Sequence, residues 1–162
     1  MKKLFFIFSF FLLMLCVTSA GAQTVSLSVA YNNSEKGRDS HSTNEMFSII
    51  GKKLSYSVTY SGRNGPDQKD EEKKCVLTDE QVNKILTTLQ DKKLNADDSL
   101  IYKLPATEAP YTSETITILV TKGKKITKVR VKGIYTQIAN KTIYTNSLYL
   151  INVIRNMLKK CS

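Results

Sequence analysis

Alternation of apolar and polar residues is the feature that most limits how this chain can fold. It occurs in residues 24–31 and 54–60, and again in residues 115–120 and 126–134. Successive side chains of a β-strand point to opposite faces, so alternation gives each strand one apolar side and one polar side. We therefore predict a sheet with one buried face and one wet face, which is typical of antiparallel sheets.

Glycine–lysine turns separate these stretches. Gly51 follows a short apolar run at residues 46–50, and the sequence predicts three strands in a meander across residues 24–61. Gly123 lies between the last two alternating stretches, where lysines flank it on both sides. A glycine between two such stretches predicts a β-hairpin.

The first helix is specified by its N-terminus. Thr78 and Gln81 have the spacing of a capping box, in which each side chain hydrogen-bonds the backbone amide of the other residue. Apolar residues then recur at helical spacing, namely Val82, Ile85, Leu86 and Leu89. A second helix is predicted near the C-terminus, with Thr145 or Asn146 as its cap. Its apolar stripe is Leu150, Ile151, Ile154, Met157 and Leu158.

These elements follow the order βββ-α-ββ-α. A mostly antiparallel sheet of about five strands, with both helices packed on its apolar face, gives a two-layer α+β domain. Residues 32–44 and 61–74 are polar and are predicted to be loops. Residues 91–110 are less regular, and within them residues 100–104 are either a short strand or a covering segment.

The N-terminus has the composition of an export signal. Lys2 and Lys3 precede an apolar run at residues 4–17, and Ala20-Gly21-Ala22 supplies the small residues of a cleavage site. We therefore predict that residues 1–22 form a signal peptide that is removed.

The predicted mature protein comprises residues 23–162, the size of one ordinary domain. It contains no transmembrane segment, and we expect it to be periplasmic or secreted. A lipid anchor on Cys16 is the alternative, although Leu15 stands where such sites have a small residue.

The chain is basic, with a formal net charge of +10. The predicted signal carries two of the lysines and no acid, which leaves +8 on residues 23–162. An exported basic protein rarely meets nucleic acid, so the expected partners are an anionic envelope lipid, an acidic glycan or an acidic protein. The alternative is that the surplus lysines only keep a small domain soluble.

Two cysteines, Cys75 and Cys161, remain after the signal is removed. In an oxidising compartment they are predicted to form a disulfide, and two independent thiols are the alternative. Cys75 precedes the first helix and Cys161 ends the second, so a bond between them requires the helices to lie antiparallel. Two cysteines alone do not make a zinc site, and the sequence predicts no metal and no cofactor.

A few residues have side chains suited to chemistry. His41 is the single histidine, and it lies in the polar segment predicted to be a loop. It could serve a small hydrolase together with a distant acid, whereas a surface histidine is the simpler interpretation. The acidic run at residues 67–72 is interrupted by Lys69 and is followed by Lys73 and Lys74. These lysines favour a solvated loop over a calcium site. Tyr111, Tyr135 and Tyr144 are predicted to lie in loops and to be weak candidates for contacts.

The most distinctive cluster is basic. It lies in the predicted hairpin and comprises Lys122, Lys124, Lys125, Lys128, Arg130 and Lys132. The strand members alternate with valines and share one face, which suggests a surface that binds anions. Exposed lysines on a strand also deter sheets from pairing edge to edge, and that is the structural alternative.

No motif in the sequence points to a particular family or to a catalytic constellation. The leading hypothesis is an exported, non-enzymatic binding domain that uses the basic hairpin or the open sheet face. The alternatives are a small hydrolase that uses His41 and a structural envelope component that self-associates through a sheet edge.

Overall fold

The computed structural model describes residues 25–37, 40–62, 70–105 and 110–161. The strands are β1 (Val25–Lys36), β2 (His41–Ile50), β3 (Lys53–Gly62), β4 (Glu71–Val76), β5 (Asp98–Ile101), β6 (Tyr111–Lys122) and β7 (Lys125–Ile134). The helices are α1 (Asp79–Asp91), α2 (Tyr135–Ile138) and α3 (Thr142–Leu158).

All described strands belong to one sheet with the order β4-β3-β2-β1-β6-β7-β5. Every neighbouring pair is antiparallel except β5 and β7, which are parallel. The prediction of a mixed α and β domain with a mostly antiparallel sheet is therefore confirmed. The predicted number of strands is wrong, because the sheet has seven strands and not about five.

The two strands that the predicted count lacks lie at the edges of the sheet. β4 falls partly in the predicted loop at residues 61–74, and β5 overlaps the first two residues of the segment 100–104, for which a short strand was one of two alternatives. Nearly all side chains of β4 are exposed, and so are three of the four in β5. Since neither strand buries one complete face, neither carries a period of two in its sequence.

β1 and β2 also extend into the predicted loop at residues 32–44. Their pairing continues to Glu35 opposite His41. This outer part of the hairpin projects beyond the fully buried positions, and most of its side chains are half-buried. Polar residues therefore occupy both faces, and the alternation disappears although the strands continue.

The capping box of α1 is confirmed. The amide of Thr78 donates to Gln81 Oε1 at 2.8 Å, and the amide of Gln81 donates to Thr78 Oγ1 at 3.2 Å. The predicted start of the last helix is wrong, because α3 begins at Thr142 with Lys141 as its N-cap. Asn146 instead donates from Nδ2 to the carbonyl of Lys92 at 3.1 Å, which joins the start of α3 to the end of α1.

The core lies between the helices and one face of the sheet, which we call the inner face. Cys75 and Cys161 lie at disulfide distance, with Cα atoms 5.9 Å apart, so the end of α3 is beside the start of α1. The two long helices therefore run antiparallel, and a third, short helix (α2) was not predicted. The fully buried core includes Val29, Phe47, Leu54, Ile116, Ile118, Val129, Leu150, Ile151 and Ile154.

The predicted export signal at residues 1–22 and the alternative anchor Cys16 lie outside the described residues. Across the described ranges, no helix has both the length and the apolar character needed to cross a membrane.

Candidate functional site

The opposite side of the sheet, which we call the outer face, carries no described helix. Small side chains occupy its centre. They are Ser26, Ser28, Ser48, Ser55 and Ser57, which lie near one another on β1, β2 and β3. We call these five residues the serine floor. Four of them (Ser28, Ser48, Ser55 and Ser57) line a shallow trough of about 290 Å³, together with larger side chains that include Met46, Glu72 and Lys74.

Basic residues stand on both sides of the serine floor. The register places one row across six strands, in the order Lys74, Ser55, Ser48, Ser28, Leu119, Lys128. The two lysines are five strand spacings apart, or about 24 Å.

The charge of the outer face is one-sided. Among the described strands, Glu72 is the single acid whose position places it on this face. The basic residues at outer-face positions are Lys36, Lys53, Lys74, Lys128, Arg130 and Lys132. The other strand acids alternate onto the inner side, and they are Glu35, Glu45, Glu71, Asp98 and Glu114.

The structure divides the basic cluster that the sequence singled out. Lys128, Arg130 and Lys132 share the outer face, opposite Leu119, Thr117 and Thr115 of β6. Lys122, Lys124 and Lys125 instead surround the turn between β6 and β7 and are exposed at the end of the sheet.

Sequence reasoning missed Lys53 and Lys74. Together with Lys128, Arg130 and Lys132 they flank the serine floor, and we call these five residues the basic rim. Lys74 lies in the segment predicted to be a loop, and the sequence Gly51-Lys52-Lys53 predicts that Lys53 is part of a turn. Only the pairing of β3 with β4, which sets Lys53 opposite Val76 and Lys74 opposite Ser55, brings them to the outer face.

A second polar region lies on the inner face beside α3. Arg155 forms a two-pronged contact with Glu45, from Nε to Oε2 at 3.1 Å and from one terminal nitrogen to Oε1. Its guanidinium also lies over the ring of Tyr31, 5.3 Å from the ring centre. Partial burial lowers the pKa of Arg155, but the hydrogen bonds and charge of Glu45 outweigh this, and the net pKa is raised. The pair fixes the C-terminal half of α3 to β2.

The N-terminal half of α3 is fixed by a tyrosine and a buried carboxylate. Tyr144 donates its hydroxyl to Glu114 Oε2 at 2.6 Å, and both residues are almost completely buried. Burial and the hydrogen bond to Glu114 raise the pKa of Tyr144. Burial, with the negative charge of Glu114, raises the pKa of Tyr31 to about 12. The phenols are therefore neutral donors at ordinary pH, which suits a structural role better than nucleophilic catalysis.

The predicted loop tyrosines are placed differently by the structure. The expectation for Tyr144 is wrong, because it is a core residue of α3. Tyr135 is the first residue of α2, and it contacts the Tyr144 ring edge-on at 6.3 Å. Tyr111 begins β6 and is half-buried.

His41 lies at the exposed start of β2. Its Nε2 is 3.5 Å from Glu35 Oε2 on β1, and both side chains are more than half exposed. Catalytic groups are usually tuned by buried surroundings, and side chains this exposed do not have them. Within the described ranges, no group of three or more histidine, cysteine, aspartate or glutamate side chains is arranged to hold a metal ion. Of the acidic run, Glu71 and Glu72 belong to β4, whereas Asp67 lies outside the described residues.

A groove of about 450 Å³ between α1 and α3 is larger than the trough. Its lining mixes both signs of charge, with Glu80 opposed by Lys84 and Lys160. In the described residues, every buried polar side-chain atom has a hydrogen-bond partner, so none points unsatisfied into this groove. The outer face, with six basic strand positions and one acidic position among the described strands, is the stronger candidate site.

A scan against models of known protein families finds no match for this chain, and a search among curated proteins finds no significant relative.

Proposed function

We propose that the protein is an exported, non-enzymatic binding domain whose outer face holds an anionic polysaccharide. The observation that carries this proposal is the excess of positive charge on the outer face. The outer face has six basic strand positions and one acidic position among the described strands. Export rests on the predicted signal at residues 1–22.

The size of the basic rim favours a polymer over a small ion. Lys74 and Lys128 are about 24 Å apart across the strands, so one small anion cannot contact both. An extended chain can cross the serine floor and contact cations at both sides. Arg130 adds a planar fork that matches a carboxylate or sulfate group with two hydrogen bonds.

The serine floor favours a glycan among polymers. Its hydroxyls can donate and accept hydrogen bonds, as sugar hydroxyls do. The small side chains also leave the trough open, so a chain can approach the backbone of the central strands. A polyanion without hydroxyl groups would use the rim alone.

The charge of the face can be tested with residues 23–162, which contain every described strand and helix. The variant Lys128→Gln/Arg130→Gln/Lys132→Gln should bind immobilised heparin, a sulfated glycan, about 5- to 150-fold more weakly than the wild type. This range follows from three surface ion pairs worth about 0.3–1 kcal/mol each, or about 0.9–3 kcal/mol together. Binding should weaken with salt, and uncharged dextran should not bind.

The matched control removes three positive charges from the helix layer, with Lys84→Gln, Lys141→Gln and Lys160→Gln. All three residues are exposed, and the variant has the same net charge as the outer-face variant. Equal losses in the two variants would contradict a localised site and would indicate non-specific attraction to a basic protein.

The trough can be tested without changing charge. Ser48→Phe places a bulky ring in the middle of the serine floor, between Ser28 and Ser55. We expect this variant to fold normally and to lose most heparin affinity. Unchanged affinity would show that the ligand contacts only the basic rim.

A further inference from the structure

The sequence Gly-Lys-Lys occurs twice, at residues 51–53 and 123–125, and the structure gives both copies the same geometry. Each glycine begins a two-residue turn and has a positive φ, +58° at Gly51 and +59° at Gly123. A residue with a side chain is strained there, so glycine is required. Lysine follows at the second turn position in both hairpins.

The two turns lie at the same end of the sheet. β1 separates the hairpins, and its first residues pair with both: Ser26 lies opposite Ile50, and Val25 lies opposite Lys122. The turn centres are three strand spacings apart, or about 14 Å. We call this region the hairpin end, and it comprises residues 50–53, residues 122–126 and Val76.

Exposed aliphatic side chains accompany the lysines at the hairpin end. Ile50 is 59% exposed, Ile126 is 62% exposed and Val76 is 73% exposed. The register places all three in one row across the sheet, with Lys53 between Val76 and Ile50. Single exposed aliphatic residues are ordinary, but three in one row, with Lys53 in the same row and further lysines at the adjoining turns, mark an interaction surface.

The lysines at this end are mostly available to an external anion. Lys52 Nζ contacts Asp79 Oδ2 at 2.8 Å and shares its charge with that acid. Lys53, Lys122, Lys124 and Lys125 are also exposed. The hairpin end therefore combines a concentrated positive charge with apolar side chains that project from the protein.

We propose that the hairpin end docks on the surface of an anionic lipid bilayer. Ile50 and Ile126 would enter the headgroup region while the neighbouring lysines contact lipid phosphates. A bilayer fits better than a polysaccharide here, because exposed aliphatic side chains gain little from a sugar polymer. This surface adjoins the serine floor and shares Lys53 with its rim, whereas Ile50, Ile126, Lys122 and Lys125 belong to the hairpin end alone. It adds a second partner to the proposed glycan.

Insertion can be followed with a tryptophan because the natural chain has none. Residues 23–162 are used, since the apolar run at residues 4–17 would bind lipid by itself. Ile126→Trp should show a blue shift of its emission with vesicles of phosphatidylglycerol and phosphatidylcholine, and not with phosphatidylcholine alone. Tyr149→Trp is the matched control, because Tyr149 is 49% exposed on α3 and should show no shift.

Vesicle affinity separates the two contributions. Lys122→Gln/Lys125→Gln should bind anionic vesicles about 30-fold more weakly at low salt, while the helix-layer pair Lys84→Gln/Lys160→Gln should change little. Ile50→Ser/Ile126→Ser keeps the charge and should lose the binding that persists at high salt.

Two results would overturn the proposal. One is the absence of a blue shift for Ile126→Trp on vesicles that the protein binds. The other is a loss of vesicle binding in the Lys128→Gln/Arg130→Gln/Lys132→Gln variant with none in the hairpin-end variants, which would show that vesicles act as a polyanion at the outer face. Failure of heparin binding would refute the glycan site and leave the vesicle result standing.

Discussion

The hydrogen bond between Tyr144 and Glu114 gives the sharpest test of how α3 is held on the sheet. Tyr144 is 2% exposed and Glu114 is 5% exposed, so water cannot replace a lost partner easily. The other described donor to Glu114 is Asn33 Nδ2, at 3.5 Å from Oε1, which is beyond the usual length of a strong bond. Tyr144→Phe therefore removes the main partner of a buried carboxyl group.

We expect Tyr144→Phe to lower the free energy of unfolding by about 1.5–3 kcal/mol, the range for a hydrogen bond to a charged group. The ring remains, so no cavity contributes. Urea unfolding of residues 23–162, followed by far-UV circular dichroism, measures the change as a shift of midpoint at constant slope. Tyr149→Phe on the same helix is the control, and it should cost less than about 0.5 kcal/mol because Tyr149 is half exposed.

A double-mutant cycle isolates the pair. In a Glu114→Gln background the acceptor is a neutral amide, so Tyr144→Phe should cost only about 1 kcal/mol. A loss below about 0.5 kcal/mol for Tyr144→Phe in the wild-type background, with an unchanged slope, would refute the reasoning. It would mean that the carboxyl group of Glu114 does not depend on this phenol.

Three further predictions concern stability. Replacing Cys75 and Cys161 with serine releases a cross-link between residues 86 positions apart. The free energy of unfolding should fall by about 4–5 kcal/mol in the chain-entropy model, and an unchanged urea midpoint would contradict this prediction. The pKa of Tyr31 is raised to about 12, so the folded protein keeps a proton that the unfolded chain loses above pH 10. The free energy of unfolding should then fall between pH 10 and pH 12. Tyr31→Phe should make this fall less steep, by less than about 1.4 kcal/mol per pH unit because the side chain is only half-buried. An unchanged slope would be evidence against this linkage. At Gly133 a Cβ atom would lie 2.7 Å from Ile138 Cγ2. Gly133→Ala should therefore lower the free energy of unfolding by about 1–3 kcal/mol, measured as a lower thermal midpoint. A midpoint equal to that of the wild type would show that α2 can move aside.

Local chemistry in the sequence determined the elements that bury one complete face. Thr78 and Gln81 specify the start of α1 through hydrogen bonds between residues three apart. These bonds form without any tertiary contact. The alternation in residues 54–60 and 126–134 shows one apolar side because the core covers one side of β3 and β7. The two-faced sheet under the helices was therefore readable from period and caps alone.

Tertiary structure alone decided the edge strands and the polar extension of the first hairpin. β4 and β5 have solvent around them, and the paired residues Glu35 and His41 lie beyond the buried core. Burial on one side is what creates a period of two, so strands without it look like loops in the sequence. Their existence depends on backbone pairing with a neighbour that the sequence does not identify.

The candidate surfaces were predictable only in part, for the same reason. The shared face of Lys128, Arg130 and Lys132 follows from their spacing within one strand. The position of Lys74, five strands away across the sheet, depends on the register of strands that are distant in sequence. Arg155 meets Glu45 across 110 residues by the same kind of long-range placement. Spacing thus fixes which side of its own element a residue faces, whereas the order and register of the strands decide which residues meet.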